Sequence, residues 1–297
     1  MKSGFIGLVG RPNVGKSTLL NAIIGKKVAI TSNKPQTTRN LIEGIRTDED
    51  TQMVFVDTPG IHKPKNRLGK ILNKQAYFTV NDVDVILFLV DITEPLGKGD
   101  MFVIDVLKNV STPVILVINK IDKLPKEEIL KKIDEYKDLY NFDEIVPISA
   151  YKHDNIDRLI NVLKSKLTDN IKYYSDEMYT DKPVNFMVGE IIREKILDLT
   201  EEEVPHSVSV VVDQMDFNRE SVNIKATIVV DRENLKKILV GKNGSMIKEI
   251  GTRARLDIEP LLGKKVYLEL FVKVIPKWRD REKFLSEIGF KEFNFDK

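Results

Sequence analysis

The chain has 297 residues, 42% hydrophobic and 31% charged, with a formal net charge of +2; a chain of this length exceeds one ordinary core and points to two domains. It has no cysteine, which excludes disulfides, thiolate metal sites and a cysteine nucleophile. Its longest apolar runs, such as Val85 to Val90 and Val114 to Ile118, are five or six residues, far below the roughly 20 that span a bilayer.

The start, Met1 to Gly10, carries one charge and is broken by glycine, so it reads as a first strand and not as a secretion signal. Phe5 to Val9, Met53 to Val56, Val85 to Val90 and Val114 to Ile118 are apolar almost throughout, as strands buried on both faces are. Helical patterns over 17–25, 100–110, 126–139 and 154–168 lie between and after them, which predicts an α/β unit with a doubly wound, mostly parallel sheet. Residues 170–183 lose all periodicity, so the expected division is a first domain over 1–172, a linker over 173–183, and a second domain with a C-terminal tail over 184–297. That second part reads helix (184–199), strand (207–214), strand (221–230), short helix ending at Val240, longer helix from Ser245, strand (265–273). Its charge is uneven: residues 181–235 hold 6 Lys/Arg against 12 Asp/Glu, whereas residues 236–283 hold 13 against 6, a basic stripe.

The first strand runs into Gly10-Arg11-Pro12-Asn13-Val14-Gly15-Lys16-Ser17-Thr18 and then a helix, the setting in which glycine-rich backbone and a helix N-terminus cradle phosphates. Lys16 is expected to neutralise the β and γ phosphates and Ser17 to ligate Mg²⁺. Asp57-Thr58-Pro59-Gly60 follows a strand, which places Asp57 to reach the same Mg²⁺ through water and Gly60 to offer its N–H to the γ phosphate. Between them Pro35-Gln36-Thr37-Thr38-Arg39-Asn40 carries the threonine that can join Mg²⁺ only when a γ phosphate holds the loop; Thr38 is favoured over Thr37. Lys16, Thr38 and Gly60 are thus the catalytic candidates. Asn119-Lys120-Ile121-Asp122 selects the base: the Asp122 carboxylate can accept from N1–H and the exocyclic amino group of guanine, and adenine offers neither donor. Asn119 is expected to tie loops together, the Lys120 stem to cover the base, and Ser149-Ala150 to supply backbone to the guanine oxygen.

These motifs resemble those of translation-factor-type GTPases. More closely, Gly10 to Thr18 with Gln36-Thr37-Thr38-Arg39-Asn40 and Asp57-Thr58-Pro59-Gly60-Ile61-His62 resembles the Era family of bacterial GTPases, over nearly the whole chain. Ras-like enzymes orient the attacking water with a glutamine after the Asp-x-x-Gly turn; here the position is Ile61, whose aliphatic side chain cannot. In some relatives an asparagine at the place of Asn13 ligates potassium near the phosphates, so Asn13 has two readings, a potassium ligand and a residue suited to a tight turn. His62, His153 and His206 are scattered and lack metal-ligand spacing.

In the second domain Gly241-Lys242-Asn243-Gly244 joins two helical segments, the Gly-x-x-Gly signature of KH modules, which clamp about four nucleotides of single-stranded nucleic acid. With the order of elements and the basic stripe it predicts an α+β, type II KH domain that binds RNA, with Lys242, Lys248, Arg253 and Arg255 on phosphates and Ile238, Ile247 and Ile250 in core and groove floor. Trp278, among basic residues, is read as a packing residue before a stacking one. The family resemblance implies GTP and GDP as ligands, the 3′ end of small-subunit ribosomal RNA and the 30S particle as partners, a cytoplasmic location and peripheral contact with the inner face of the membrane. Two other readings stand beside this switch: an RNA-binding scaffold or chaperone that binds GTP with little turnover, and a KH-like module that binds protein.

Overall fold

Strands whose side chains are buried on both faces make up the centre of the first unit. In the computed structural model, which describes residues 1–34, 37–60, 64 and 66–290, the elements run β1 (Lys2–Gly10), α1 (Lys16–Ile24), β2 (Ile42–Thr47), β3 (Thr51–Asp57), α2 (Arg67–Asn81), β4 (Val85–Asp91), α3 (Lys98–Leu107), β5 (Val114–Asn119), α4 (Lys126–Tyr136), β6 (Glu144–Pro147) and α5 (Ile156–Lys166). The sheet order is β2-β3-β1-β4-β5-β6. Only the β2–β3 pairing in it is antiparallel. Every residue of β3, β4 and β5 is buried, as their unbroken apolar runs require. The carboxyl ends of β1, β3 and β5 deliver Gly10, Asp57 and Asn119, where an open α/β sheet places its ligand.

Two elements escape the periodicity reading. β2 is a short edge strand, only partly buried at Glu43, Arg46 and Thr47, with Glu43, Gly44 and Arg46 interrupting its apolar residues. In α2 the buried face includes Asn73, Gln75 and Thr79 beside Leu72, Ala76 and Val80, so polar residues blur the helical repeat. The stretch Thr58 to Gly69 is polar and interrupted by proline, which in sequence reads as a loop, yet helix α2 opens within it at Arg67. Ile61, His62, Lys63 and Lys65 of that stretch, and Pro35 and Gln36 of the earlier one, lie outside the described residues.

The chain divides into two compact units that part, along its main run, between Asp181 and Lys182. Residues 173–181 of the expected linker are fastened to the first unit. The Gln52 side chain is fully buried, donates to Thr47 Oγ1 and the Tyr174 carbonyl, and accepts the N–H groups of Tyr173 and Tyr174. Further along, the Tyr174 hydroxyl donates to Glu43, Ile45 donates its N–H to the Tyr179 carbonyl at 3.0 Å, and Glu43 donates its N–H to Asp181 Oδ1 at 2.9 Å. The segment thus completes the exposed edge of β2, which leaves fewer backbone groups of an edge strand unpaired.

The second unit contains α6 (Val184–Leu199), α7 (Val204–Ser207), β7 (Ser209–Phe217), β8 (Ser221–Val230), α8 (Glu233–Val240), α9 (Ser245–Leu262), β9 (Lys265–Val274) and α10 (Glu282–Glu287). Its sheet runs β7-β8-β9, with β7 antiparallel and β9 parallel to the central β8. This is the α-β-β-α-α-β order of a type II KH domain. Trp278 is fully buried and donates its indole N–H to the Ser207 carbonyl at 2.9 Å, while Arg279 pairs with Asp231 at 2.6 Å. A buried indole with its donor satisfied packs and does not stack a base. Ile250 is in the core, but Ile238, expected there too, is 48% exposed. No helix among the described residues is long and apolar enough to cross a membrane.

Candidate nucleotide site and nucleic-acid interface

The loop between β1 and α1 folds back on its own lysine. Lys16 is buried at the first turn of α1, where Nζ donates to the carbonyls of Gly10 at 3.2 Å and Arg11 at 3.0 Å. Burial pulls its pKa down to about 8, with the charge of Asp57 acting in the opposite direction. Arg11 points away from this centre to an ion pair with Asp100 at 2.9 Å. Gly15 has φ 101°, and a Cβ there would stand 2.2 Å from the Asn119 side-chain nitrogen, so no other residue allows β5 to approach the loop this closely.

At the other side of Lys16 three side chains from separate elements meet. Ser17 Oγ donates to Asp57 Oδ2 at 2.6 Å and lies 2.8 Å from Thr38 Oγ1, which itself donates to Asp57 Oδ2 at 3.2 Å. Asp57 has no exposure, and its second oxygen, Oδ1, has no hydrogen-bond partner among the described residues. Burial raises its pKa, opposed by Lys16, Ser17 and Thr38. A buried carboxylate oxygen without a donor is costly, roughly 1 to 3 kcal/mol or more for a charged group, and a cation at this point removes that cost. The donor set of one carboxylate and two hydroxyls is all oxygen, which suits Mg²⁺. Neighbouring residues brace the cluster: Thr58 donates to the Leu8 carbonyl at 2.6 Å, and Gly60, just after Pro59, lies against Pro12 of the loop.

Asn119 joins three segments, donating to the Val14 carbonyl at 2.8 Å and accepting the N–H groups of Lys120 and Ala150 at 2.8 and 3.0 Å. The Ala150 N–H expected to meet a guanine oxygen is therefore engaged by Asn119, and a base would have to share it. Asp122 has a side chain only 14% exposed, held by the Ser149 hydroxyl at 2.6 Å from Oδ1. Thus Ser149 acts here through its hydroxyl, orienting the carboxylate, a role the sequence does not announce. Also unforeseen is Asp91, at the end of β4 opposite Asn119, which pairs with Lys120 Nζ at 2.5 Å while Lys120 also donates to the Asn13 carbonyl at 2.9 Å. Its only signal in sequence is a carboxylate at the end of a buried strand. Asn13 has φ 66°, a left-handed conformation that asparagine tolerates, so the turn reading of this residue has a physical basis. Beside the base loops, Thr18, Asn21, Ala150 and Tyr151 line a recess of about 450 Å³. Among the described residues no group of three or more His, Asp or Glu could hold a metal ion.

In the second unit Gly241 (φ 72°) and Gly244 (φ 79°) turn the chain from α8 into α9. A Cβ on Gly241 would sit 2.7 Å from the Met246 nitrogen, so the turn demands glycine. Lys242 and Asn243 stand exposed at its tip. Lys248, Arg255 and Ile247 line a groove of about 680 Å³ between α9 and β9. Arg253 is exposed but paired with Glu249, one turn back, at 2.6 Å, and it does not line that groove.

A glycine-rich loop around a buried lysine, a hydroxyl–carboxylate cluster beside it, an Asn-Lys-Ile-Asp segment bonded to that loop and a helix–Gly-x-x-Gly–helix turn together define a P-loop GTPase carrying a KH domain. A family model described as 50S ribosome-binding GTPase matches residues 5–120, and the KH domain model matches residues 203–279. A point variant of Aquifex aeolicus Era, solved bound to GDP and AlF4⁻, is 43% identical with a TM-score of 0.94 over 98% of this chain and 100% of its own. Era in complex with MgGDPNP and nucleotides 1506–1542 of 16S ribosomal RNA is likewise 43% identical, with a TM-score of 0.95 and the same coverage. The chain belongs to the Era family of GTPases.

The state of Lys16 gives a pH prediction. With a pKa of about 8 in the free protein, the side chain is largely neutral above that pH, whereas a bound polyphosphate favours the ammonium form. GTP binding at pH 8.5 should therefore take up protons, and affinity should fall as pH rises through 8 to 9.5. Calorimetric titrations in buffers of different ionisation enthalpy measure the uptake, which should vanish in Lys16→Met.

Proposed function

We propose that this protein is a hydrolytic switch that binds the 3′ end of small-subunit ribosomal RNA through its KH domain during assembly of the 30S particle. The observation that carries the reading is the likeness along the full chain to Era solved with a GTP analogue and a 16S RNA fragment, together with both sites described above. In this reading residues 1–172 form the GTPase domain, 173–183 the connection, and 184–297 the RNA-binding domain and tail. The work takes place in the cytoplasm, with the 30S particle; contact with the inner face of the membrane rests on family resemblance alone.

In the GTPase domain the Gly10–Thr18 loop wraps the phosphates, and Lys16 exchanges its carbonyl partners for β and γ oxygens. Ser17, Asp57 and Thr38 would hold Mg²⁺, which supplies positive charge to the phosphates when bound; the unpartnered Asp57 Oδ1 supports that fit. Thr38, carried by the segment before β2, reports the γ phosphate, and Gly60 offers its N–H on the other side. Asp122 accepts from the guanine edge in an orientation held by Ser149, while Asn119, Lys120 and Asp91 keep the base loops joined to the phosphate loop. On the KH domain, Gly241 and Gly244 let a sugar-phosphate backbone approach Lys242 and Asn243, with Lys248 and Arg255 along the groove and Arg253 nearby on α9.

Asn13 has a further part in this reading, as a potassium ligand that supplies charge where Ile61 supplies no water-orienting group. Glycine adopts the same left-handed backbone, so Asn13→Gly separates the turn from the cation. Wild-type turnover should rise several-fold in potassium over sodium, and Asn13→Gly should lose the difference while binding GDP normally; equal wild-type rates in the two buffers end the potassium role.

The scaffold reading differs in turnover. Multiple-turnover phosphate release should exceed that of Lys16→Ala by at least tenfold, with or without the ribosomal RNA fragment. A rate equal to Lys16→Ala in both conditions would favour a scaffold that holds GTP without using it.

A further inference from the structure

Arg11, the second residue of the phosphate loop, turns its side chain away from the loop, and the start of α3 is shaped to receive it. Nη1 donates to Asp100 Oδ2 at 2.9 Å, and the same oxygen accepts the Gly97 N–H at 3.0 Å. The Asp100 side chain is 3% exposed, and a carboxylate so buried stays charged only when it is paired. The fully buried Tyr136 of α4 faces the same carboxylate, and burial and the charge of Asp100 push its phenol pKa up. At Gly99 a Cβ would stand 3.0 Å from Arg11 Cδ and 3.1 Å from Cγ. Gly99 lies inside α3 without a left-handed φ, where glycine is a poor helix former, so the position serves to clear room for the arginine stem. A helix cap needs only the bond between Gly97 and Asp100; the buried charge and the clearance at Gly99 belong to Arg11.

This receiving surface is itself fixed. Glu135 of α4 accepts the Leu96 N–H at 3.2 Å, and Lys132 donates to the Glu94 carbonyl and to Glu135, each at 2.7 Å. The approach to α3 is thereby tied to α4, and Asp100 stands on a braced segment.

The phosphate loop therefore has two anchors. Its later part is held by the base loops, through Asn119 on the Val14 carbonyl and Lys120 on the Asn13 carbonyl. Its earlier part is held by Asp100 through Arg11. The backbone of that earlier part has two contacts of its own: the Arg11 carbonyl accepts Lys16 Nζ at 3.0 Å, and Gly60 lies so close that a Cβ there would come within 2.8 Å of the Pro12 nitrogen. Gly60 is the residue expected to offer its N–H to the γ phosphate, so the position of Arg11 and Pro12 decides where that donor can settle.

We propose that Asp100 is a positioning residue for the γ phosphate: by holding the Arg11 side chain it fixes the Arg11-Pro12 backbone against Gly60 and so sets the preference for triphosphate over diphosphate. The inference rests on the GTPase reading of this site and deepens it.

The test measures affinities of the full chain for GDP and for a non-hydrolysable GTP analogue, with Mg²⁺ present, and single-turnover phosphate release from GTP beside them. Arg11→Ala and Asp100→Ala should each weaken the analogue and slow phosphate release about tenfold, the order of one lost charge-assisted hydrogen bond, with GDP affinity changed by less than about twofold. Because Asp100 acts through Arg11, the double variant should be no weaker than either single one. Should Asp100→Ala fail to fold, Asp100→Asn, which keeps an acceptor for the Gly97 N–H and removes the charge, takes its place in the cycle. Equal losses for GDP and the analogue overturn the proposal, as do losses that add in the double variant or wild-type affinities in Arg11→Ala. The affinities need no turnover: wild-type phosphate release equal to that of Lys16→Ala would end the hydrolytic reading, while the split between GDP and the analogue would still decide the role of Asp100.

Discussion

Asp57 holds a carboxylate at the end of a fully buried strand, with one oxygen shared by Ser17 and Thr38 and the other unpartnered. Such a group is unfavourable alone: burial pushes its pKa up, and only the charge of Lys16 and two hydroxyl donors pull it down. The remaining elements of the nucleotide site are arranged around this point. β1 brings the loop that carries Lys16 and Ser17, β3 delivers Asp57, and the segment preceding β2 brings Thr38. A site assembled from three chain segments around one buried charge is stabilised most when cation and phosphate are both present, which is the physical basis of a nucleotide-dependent switch.

A second set of interactions connects that switch to the rest of the first unit. Thr38 lies four residues before β2, whose outer edge is completed by residues 173–181 through Glu43, Ile45 and the buried Gln52. The chain then enters α6 of the KH unit at Val184. The strand that follows Thr38 is thus hydrogen-bonded along its edge to residues 173–181, the last residues of the first unit. Parallel logic holds at the base loops, where Asn119 and Lys120 each bond to the phosphate loop, so base and phosphate contacts are parts of one hydrogen-bonded structure.

Much of this was legible from sequence because the residues concerned must be of one type at one spacing. Continuous apolar runs located β3, β4 and β5, and the ends of strands located Asp57 and Asn119. Residues whose role depends on tertiary neighbours were not legible. β2 is an edge strand whose charged residues hide its periodicity. α2 buries Asn73, Gln75 and Thr79, which read as surface. Ser149 is expected to act through its backbone but holds Asp122 by its hydroxyl, and Asp91, which sits in no motif, binds Lys120 from the end of the neighbouring strand. Arg253, a phosphate candidate by its charge, has a neighbour that its charge alone does not announce, Glu249 one helical turn away. Trp278 lies in a basic run, and the fold agrees with its packing reading by burying it with its indole nitrogen bonded.

The central claim is that Thr38 joins Ser17 and Asp57 around a cation only when a γ phosphate is present. It is tested most directly by titrating Mg²⁺ into the protein bound to GDP and, separately, to a non-hydrolysable GTP analogue. Thr38→Ala should weaken Mg²⁺ in the triphosphate complex roughly tenfold or more and leave the GDP complex unchanged, while Asp57→Asn weakens both. An equal effect of Thr38→Ala on the two complexes, or none on either, would contradict the account.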